Sequence, residues 1–67
     1  MVNLWDYADA KRLKITDKDG DEFVGYLVCI EDEEENESGT NEIVIQTNND
    51  KIIGFTQNEV KNIEVLE

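Results

Sequence analysis

Histidine is absent from this 67-residue chain, cysteine occurs once, and only six Lys or Arg side chains stand against 17 Asp or Glu. Each shortage removes a class of function. Without histidine or a second thiol there is no donor set for a tetrahedral zinc site, and a lone Cys29 rules out an internal disulfide. Nucleophilic catalysis has little to work with: Cys29 is expected within a core strand, closed to substrate, and Ser38 falls in an acidic loop. Carboxylates are plentiful, but exposed ones lack the apolar pocket that separates a general acid from a base. The chain is therefore expected not to be an enzyme and to use no cofactor or metal. No apolar stretch approaches the roughly 20 residues that cross a bilayer. Met1 to Ala10 has neither the basic start nor the long apolar centre of a secretory signal. A cytoplasmic protein without membrane contact is expected, and an unpaired cysteine suits a reducing compartment.

Acidity dominates the remaining composition. The net charge is −11, and six of the seven residues from Glu31 to Glu37 are acidic. Setting those six aside still leaves eleven acids against six bases, so a phosphate backbone meets a repulsive average surface and needs a local basic patch to bind. Like charges packed so densely offer no apolar surface, and a solvated loop over about 31–41 is expected, including the segment Ser38 to Asn41. A single domain of this length buries only roughly 60% of the surface its unfolded chain exposes. With disulfides and zinc excluded, subunit association is the remaining source of stability.

Hydrophobic patterning gives the elements. Asn3 can cap a short helix over about 3–11, with Leu4, Trp5 and Ala8 on one side and Trp5 plugging the open end of the core. Leu13 and Ile15 alternate with Lys14 and Thr16, the period of a strand with one wet face. Asp17 to Gly20 is turn chemistry, with positive φ expected at Gly20. In the next strand Phe23, Leu27 and Cys29 lie on one face and Val24, Tyr26, Val28 and Ile30 on the other. Both faces are apolar, which implies sharp bending or cover by a neighbouring subunit, and Gly25 is where a bend or bulge fits. Ile43 to Ile45 make a third strand, Asn48 to Lys51 a turn, and Ile52, Ile53 and Phe55 a fourth. Thr56 to Glu59 breaks the alternation as one helical turn, and Val60 to Leu66 is the fifth strand. Five short strands joined by hairpins point to a small barrel, because closure removes exposed edges.

Lys14-Ile15-Thr16, then Asp19-Gly20, Phe23, Gly25, Leu27 and Ile30, with Glu31 where aspartate is usual, resembles the first motif of the Sm-like (Lsm) proteins. Ile53 to Ile63, with Val60 and Ile63 near its end, resembles their second motif. The resemblance covers about Leu4 to Leu66 and is to a divergent, small bacterial-type member. It implies a single all-β domain over 1–67: a short N-terminal helix followed by a strongly bent five-stranded antiparallel barrel of the SH3-like or Sm-like kind. It also implies fourth and fifth strands that pair between neighbouring subunits to form rings. In this family RNA-binding members place an asparagine just before the third strand and a basic pair in the second motif. Here those positions are Glu42 and Thr56-Gln57, and Asn41 is displaced by one residue, which on a strand turns it to the opposite face.

The expected function is a noncatalytic module acting by self-assembly and protein interaction. Val24, Tyr26, Val28, Ile52 and Val60 are its candidate oligomer contacts, and the acidic loop either repels nucleic acid or recruits a basic protein partner. RNA binding is the alternative, using Lys14, Lys18, Lys51 and Asn58, with Lys11 and Arg12, if assembly gathers them on one face. Asp17 to Asp21 imitates the start of a calcium loop, but Glu22 replaces the required glycine and Val28 the bidentate glutamate.

Overall fold

Asn3 opens the first element of the computed structural model, which describes residues 2–34 and 39–67. Glu35, Asn36, Glu37 and Ser38, and with them part of the segment 31–41 expected as an acidic loop, lie outside the described residues. The Asn3 Oδ1 accepts the backbone N–H of Trp5 at 3.1 Å. The segment after it is a 3-10 turn over Leu4–Tyr7, not a helix over 3–11. Its i→i+3 bonds run from Asp6 to Asn3 (3.2 Å) and from Ala8 to Trp5 (3.3 Å). Few residues are available to repay helix nucleation, and a period of three places Leu4 and Tyr7 on the same side. Leu4 is fully buried and Tyr7 packs on the core, whereas Trp5 is 45% exposed. Leu4, not Trp5, plugs the core.

Five antiparallel strands follow among the described residues: β1 (Arg12–Asp17), β2 (Glu22–Glu31), β3 (Glu42–Thr47), β4 (Ile52–Thr56) and β5 (Val60–Val65). They form one sheet in the order β4-β3-β2-β1-β5. The β1–β2 hairpin closes through Asp17, whose Oδ1 accepts the N–H groups of Asp19 and Asp21 at 3.0 and 2.9 Å, and Gly20 takes φ +90°. The β3–β4 turn places Asp50 at φ 61°, a conformation that aspartate tolerates better than most side chains.

Sheet order and loop length together force curvature. β4 and β5 are opposite edges of the ladder, yet only a three-residue 3-10 turn, Gln57–Glu59, joins them. A flat sheet of five strands spaced about 4.8 Å apart holds its edges roughly 19 Å apart, while the span from Thr56 to Val60 reaches at most about 14 Å even when extended. The edges must converge at this end, and the Lys18 N–H donates to the Glu59 carbonyl there at 3.0 Å. Among the described residues β4 and β5 do not pair with each other, so the architecture is a strongly curled sheet and not a hydrogen-bonded closed cylinder. The connecting turn redirects the chain onto β1, where Val60 pairs with Asp17.

The concave face holds the core. Leu4, Leu13, Ile15, Ile43 and Ile45 are fully buried, with Phe55, Val60 and Ile63 nearly so. Each such side chain contributes roughly 1.5–3 kcal/mol on leaving water. Phe23 tilts against Phe55 with ring centroids 5.1 Å apart. β3 crosses close over Gly25, where an added Cβ would stand 2.5 Å from the Gln46 carbonyl oxygen.

The bulge lies further along β2 than Gly25. Leu27 pairs with Ile45 and Cys29 with Val44, so Val28 is the extra residue. An inserted residue reverses the inside–outside phase of the strand beyond it. Ile30 therefore turns inward opposite Ile43, and Cys29 turns outward and is exposed. This corrects the placement of Cys29 in the core and of Ile30 on the outer face.

Candidate interaction surface

The convex face can be read row by row from the strand register. One row crosses four strands as Arg12, Tyr26, Gln46 and Ile52. The next is Cys29, Val44 and Gly54, and the one beyond it is Glu31, Glu42 and Thr56. Val28, the bulge residue, is 50% exposed, Tyr26 54% and Ile52 67%. The result is a mainly apolar strip across β2, β3 and β4, made of Tyr26, Val28, Cys29, half-buried Val44 and Ile52, with exposed Gln46 standing between Tyr26 and Ile52. Carboxylates border it on one side. Glu31 and Glu42 stand directly opposite each other, and Asp32, Glu33 and Glu34 continue the charge as exposed residues.

Among the proposed oligomer contacts, Tyr26, Val28 and Ile52 share this strip, while Val24 is half-buried one row away, opposite Lys14. Val60 is 7% exposed and belongs to the core, because the first residue of β5 turns inward beside Ile15 and Ile63. Cys29 and Val44 were missed as surface residues. The register shift exposes the first; the second alternates out from the buried Ile43 and Ile45, a phase legible in the sequence.

The proposed RNA-contact residues fall on different elements, although the Lys18 N–H bond to the Glu59 carbonyl brings the Lys18 and Asn58 turns together. The Lys14 ammonium sits 3.5 Å from Glu22 and 3.6 Å from Glu64, and Arg12 pairs with Glu67 at 2.6 Å. Lys18 lies in the β1–β2 turn, Lys51 in the β3–β4 turn and Asn58 in the second 3-10 turn. Asn41 is already engaged: its Oδ1 accepts the Glu33 N–H at 3.0 Å, and its Nδ2 donates to Gln57 Oε1 at 3.0 Å. The positions where the family resemblance would put nucleotide contacts do meet, since Glu42 pairs with Thr56, but a carboxylate occupies the strand position. The Thr56 backbone N–H and hydroxyl both donate to Glu59 Oε1, at 3.1 and 2.8 Å. These two bonds hold the Glu59 carboxyl below the usual glutamate range, with a smaller contribution from the charge of Lys18.

A cleft of about 450 Å³ opens between the β1–β2 and β3–β4 hairpins, with Phe23, Val24 and Ile53 as its apolar lining and Glu22, Asn48, Asn49 and Lys51 among its polar rim. Among the described residues no group of three or more Cys, Asp or Glu side chains is placed to hold a metal ion. No helix there is long and apolar enough to cross a membrane. Compared with known proteins, the chain matches no family model, no curated protein and no solved structure.

Proposed function

We propose that this chain is a noncatalytic small-barrel module of the Sm-like kind, acting in the cytoplasm through self-assembly and protein contacts. The observation that carries this reading is the β4 edge. Edge strands in monomeric proteins are usually guarded by charge, proline or cover. Here β4 reads Ile52-Ile53-Gly54-Phe55-Thr56, with no charged side chain in a protein that is 34% charged. Among the described residues no strand pairs with the outer side of β4. β5, the other edge, exposes Lys61, Asn62, Glu64 and Val65 around its core residues Val60 and Ile63, so the two edges are unlike, and pairing of unlike edges runs head to tail. Carboxylates on open surface, with no buried charged side chain among the described residues, favour a binding role over acid–base chemistry.

Solution mass tests the assembly, and an electrophoretic shift with a labelled single-stranded RNA tests the competing reading. The module should form a discrete oligomer and leave RNA unshifted at physiological salt. A salt-sensitive shift weakened by Lys14→Glu or Lys51→Glu would instead establish RNA binding.

A further inference from the structure

We infer that the convex strip of Tyr26, Val28, Cys29, Val44 and Ile52 is a docking surface for a cationic amphipathic segment of a partner protein. The inference builds on the reading of the chain as an association module, but uses the face of the sheet instead of its edges. Size and charge select the occupant. Three strands spaced about 4.8 Å apart make a strip roughly 10 Å across, which is the width of one helix or one extended segment. A stable interface between two globular copies needs about 800 Å² from each, far more than two rows of side chains supply. A second copy is also disfavoured on this face, since face-to-face contact would bring together two acidic borders of Glu31 and Glu42. A segment carrying Lys or Arg beside apolar residues meets both features at once. Its apolar side covers Tyr26, Val28 and Ile52, and its cations reach Glu31 and Glu42, whose mutual repulsion across the β2–β3 ladder they relieve.

The test is a titration of the intact, ¹⁵N-labelled chain with three synthetic peptides of equal length: a Lys/Leu amphipathic peptide, a Glu/Leu counterpart and a Lys/Ser peptide of the same positive charge. The Lys/Leu peptide should perturb the amides of Tyr26, Val28, Cys29, Val44 and Ile52 together with Glu31 and Glu42. The Lys/Ser peptide should bind at least about tenfold more weakly, the worth of one buried aliphatic side chain, and the Glu/Leu peptide not at all. Val28→Thr, an exposed near-isosteric change, and Tyr26→Ser should each weaken the Lys/Leu peptide by about tenfold on the same arithmetic. Equal binding of both lysine peptides, or perturbation confined to the acidic loop, would reduce the effect to nonspecific charge attraction and overturn the inference. So would perturbation of the strip on raising protein concentration without peptide, which would make it a homotypic interface. Solution mass is measured in parallel, so failure of edge assembly is read separately from failure of docking.

Discussion

Gly25→Ala probes the close packing of β3 on β2. The new methyl would lie 2.5 Å from the Gln46 carbonyl oxygen, 2.9 Å from its carbon and 3.3 Å from Ile45 Cδ1. Ordinary C···O approaches are about 3.3 Å or more, so the β3 backbone would have to retreat by roughly 0.8 Å and loosen its ladder with β2. Overpacking of this kind costs about 1–3 kcal/mol, and because the obstacle is backbone the upper end applies. A chain of this length has a total stability of roughly 3–10 kcal/mol, so the change removes a large part of it. With a urea m-value near 1 kcal/mol/M, the midpoint of chemical unfolding should fall by about 2–3 M. Gly54→Ala is the control. Its Cβ would meet only the end of the Glu42 side chain, 2.9 Å away at Oε2, and a flexible carboxylate can swing clear for less than about 0.5 kcal/mol. Equal midpoints for Gly25→Ala and the unaltered protein, or equal losses for the two alanine variants, would refute the close approach of β3 to β2.

Ile52→Lys, which places a charge on the free edge, should shift the oligomer toward monomer in sedimentation without lowering the unfolding midpoint; an unchanged mass would remove β4 from the interface. Glu42→Lys should stabilise the fold by about 0.5 kcal/mol by replacing cross-strand repulsion from Glu31 with attraction, and a loss of stability in urea would contradict that pairing. Glu59 has its folded pKa lowered by the Thr56 bonds, so the stability it adds is present above the unfolded value of about 4.3 and is lost as pH falls through the lower folded value. The stability difference between the unaltered protein and Glu59→Gln should thus be larger at neutral pH than in acid; a gap that widens in acid would reverse the assignment. Cys29 should react with a thiol reagent in the native state without prior unfolding, and protection until unfolding would place it back inside.

The hairpins and most of the core were legible because their signals are local. Leu13 and Ile15 alternate with polar neighbours, Gly20 supplies the positive φ of its turn, and Thr56 to Glu59 interrupts the strand period where the second 3-10 turn forms. Two of the misread places have clear physical causes. Val24 to Ile30 is apolar on both phases apart from Gly25, so periodicity could not locate a bulge that reverses the faces; the structure puts it at Val28 and thereby exposes Cys29. At the amino end Leu4 and Trp5 are adjacent and equally apolar, and only the three-residue period of the turn decides that Leu4 enters the core. The strip itself could not be read from sequence because it depends on the register that sets Tyr26 beside Gln46 and Val44 beside Cys29. Its acidic border was plain from the run beginning at Glu31.

Multi-angle light scattering across a wide range of protein concentration tests the central claim most directly. A chain whose uncharged β4 edge pairs with the β5 edge of a neighbour has a mass that is a fixed multiple of the monomer's, and Ile52→Lys collapses it. A monomer mass at every concentration would mean that the curled sheet satisfies itself and that assembly is not what this protein does.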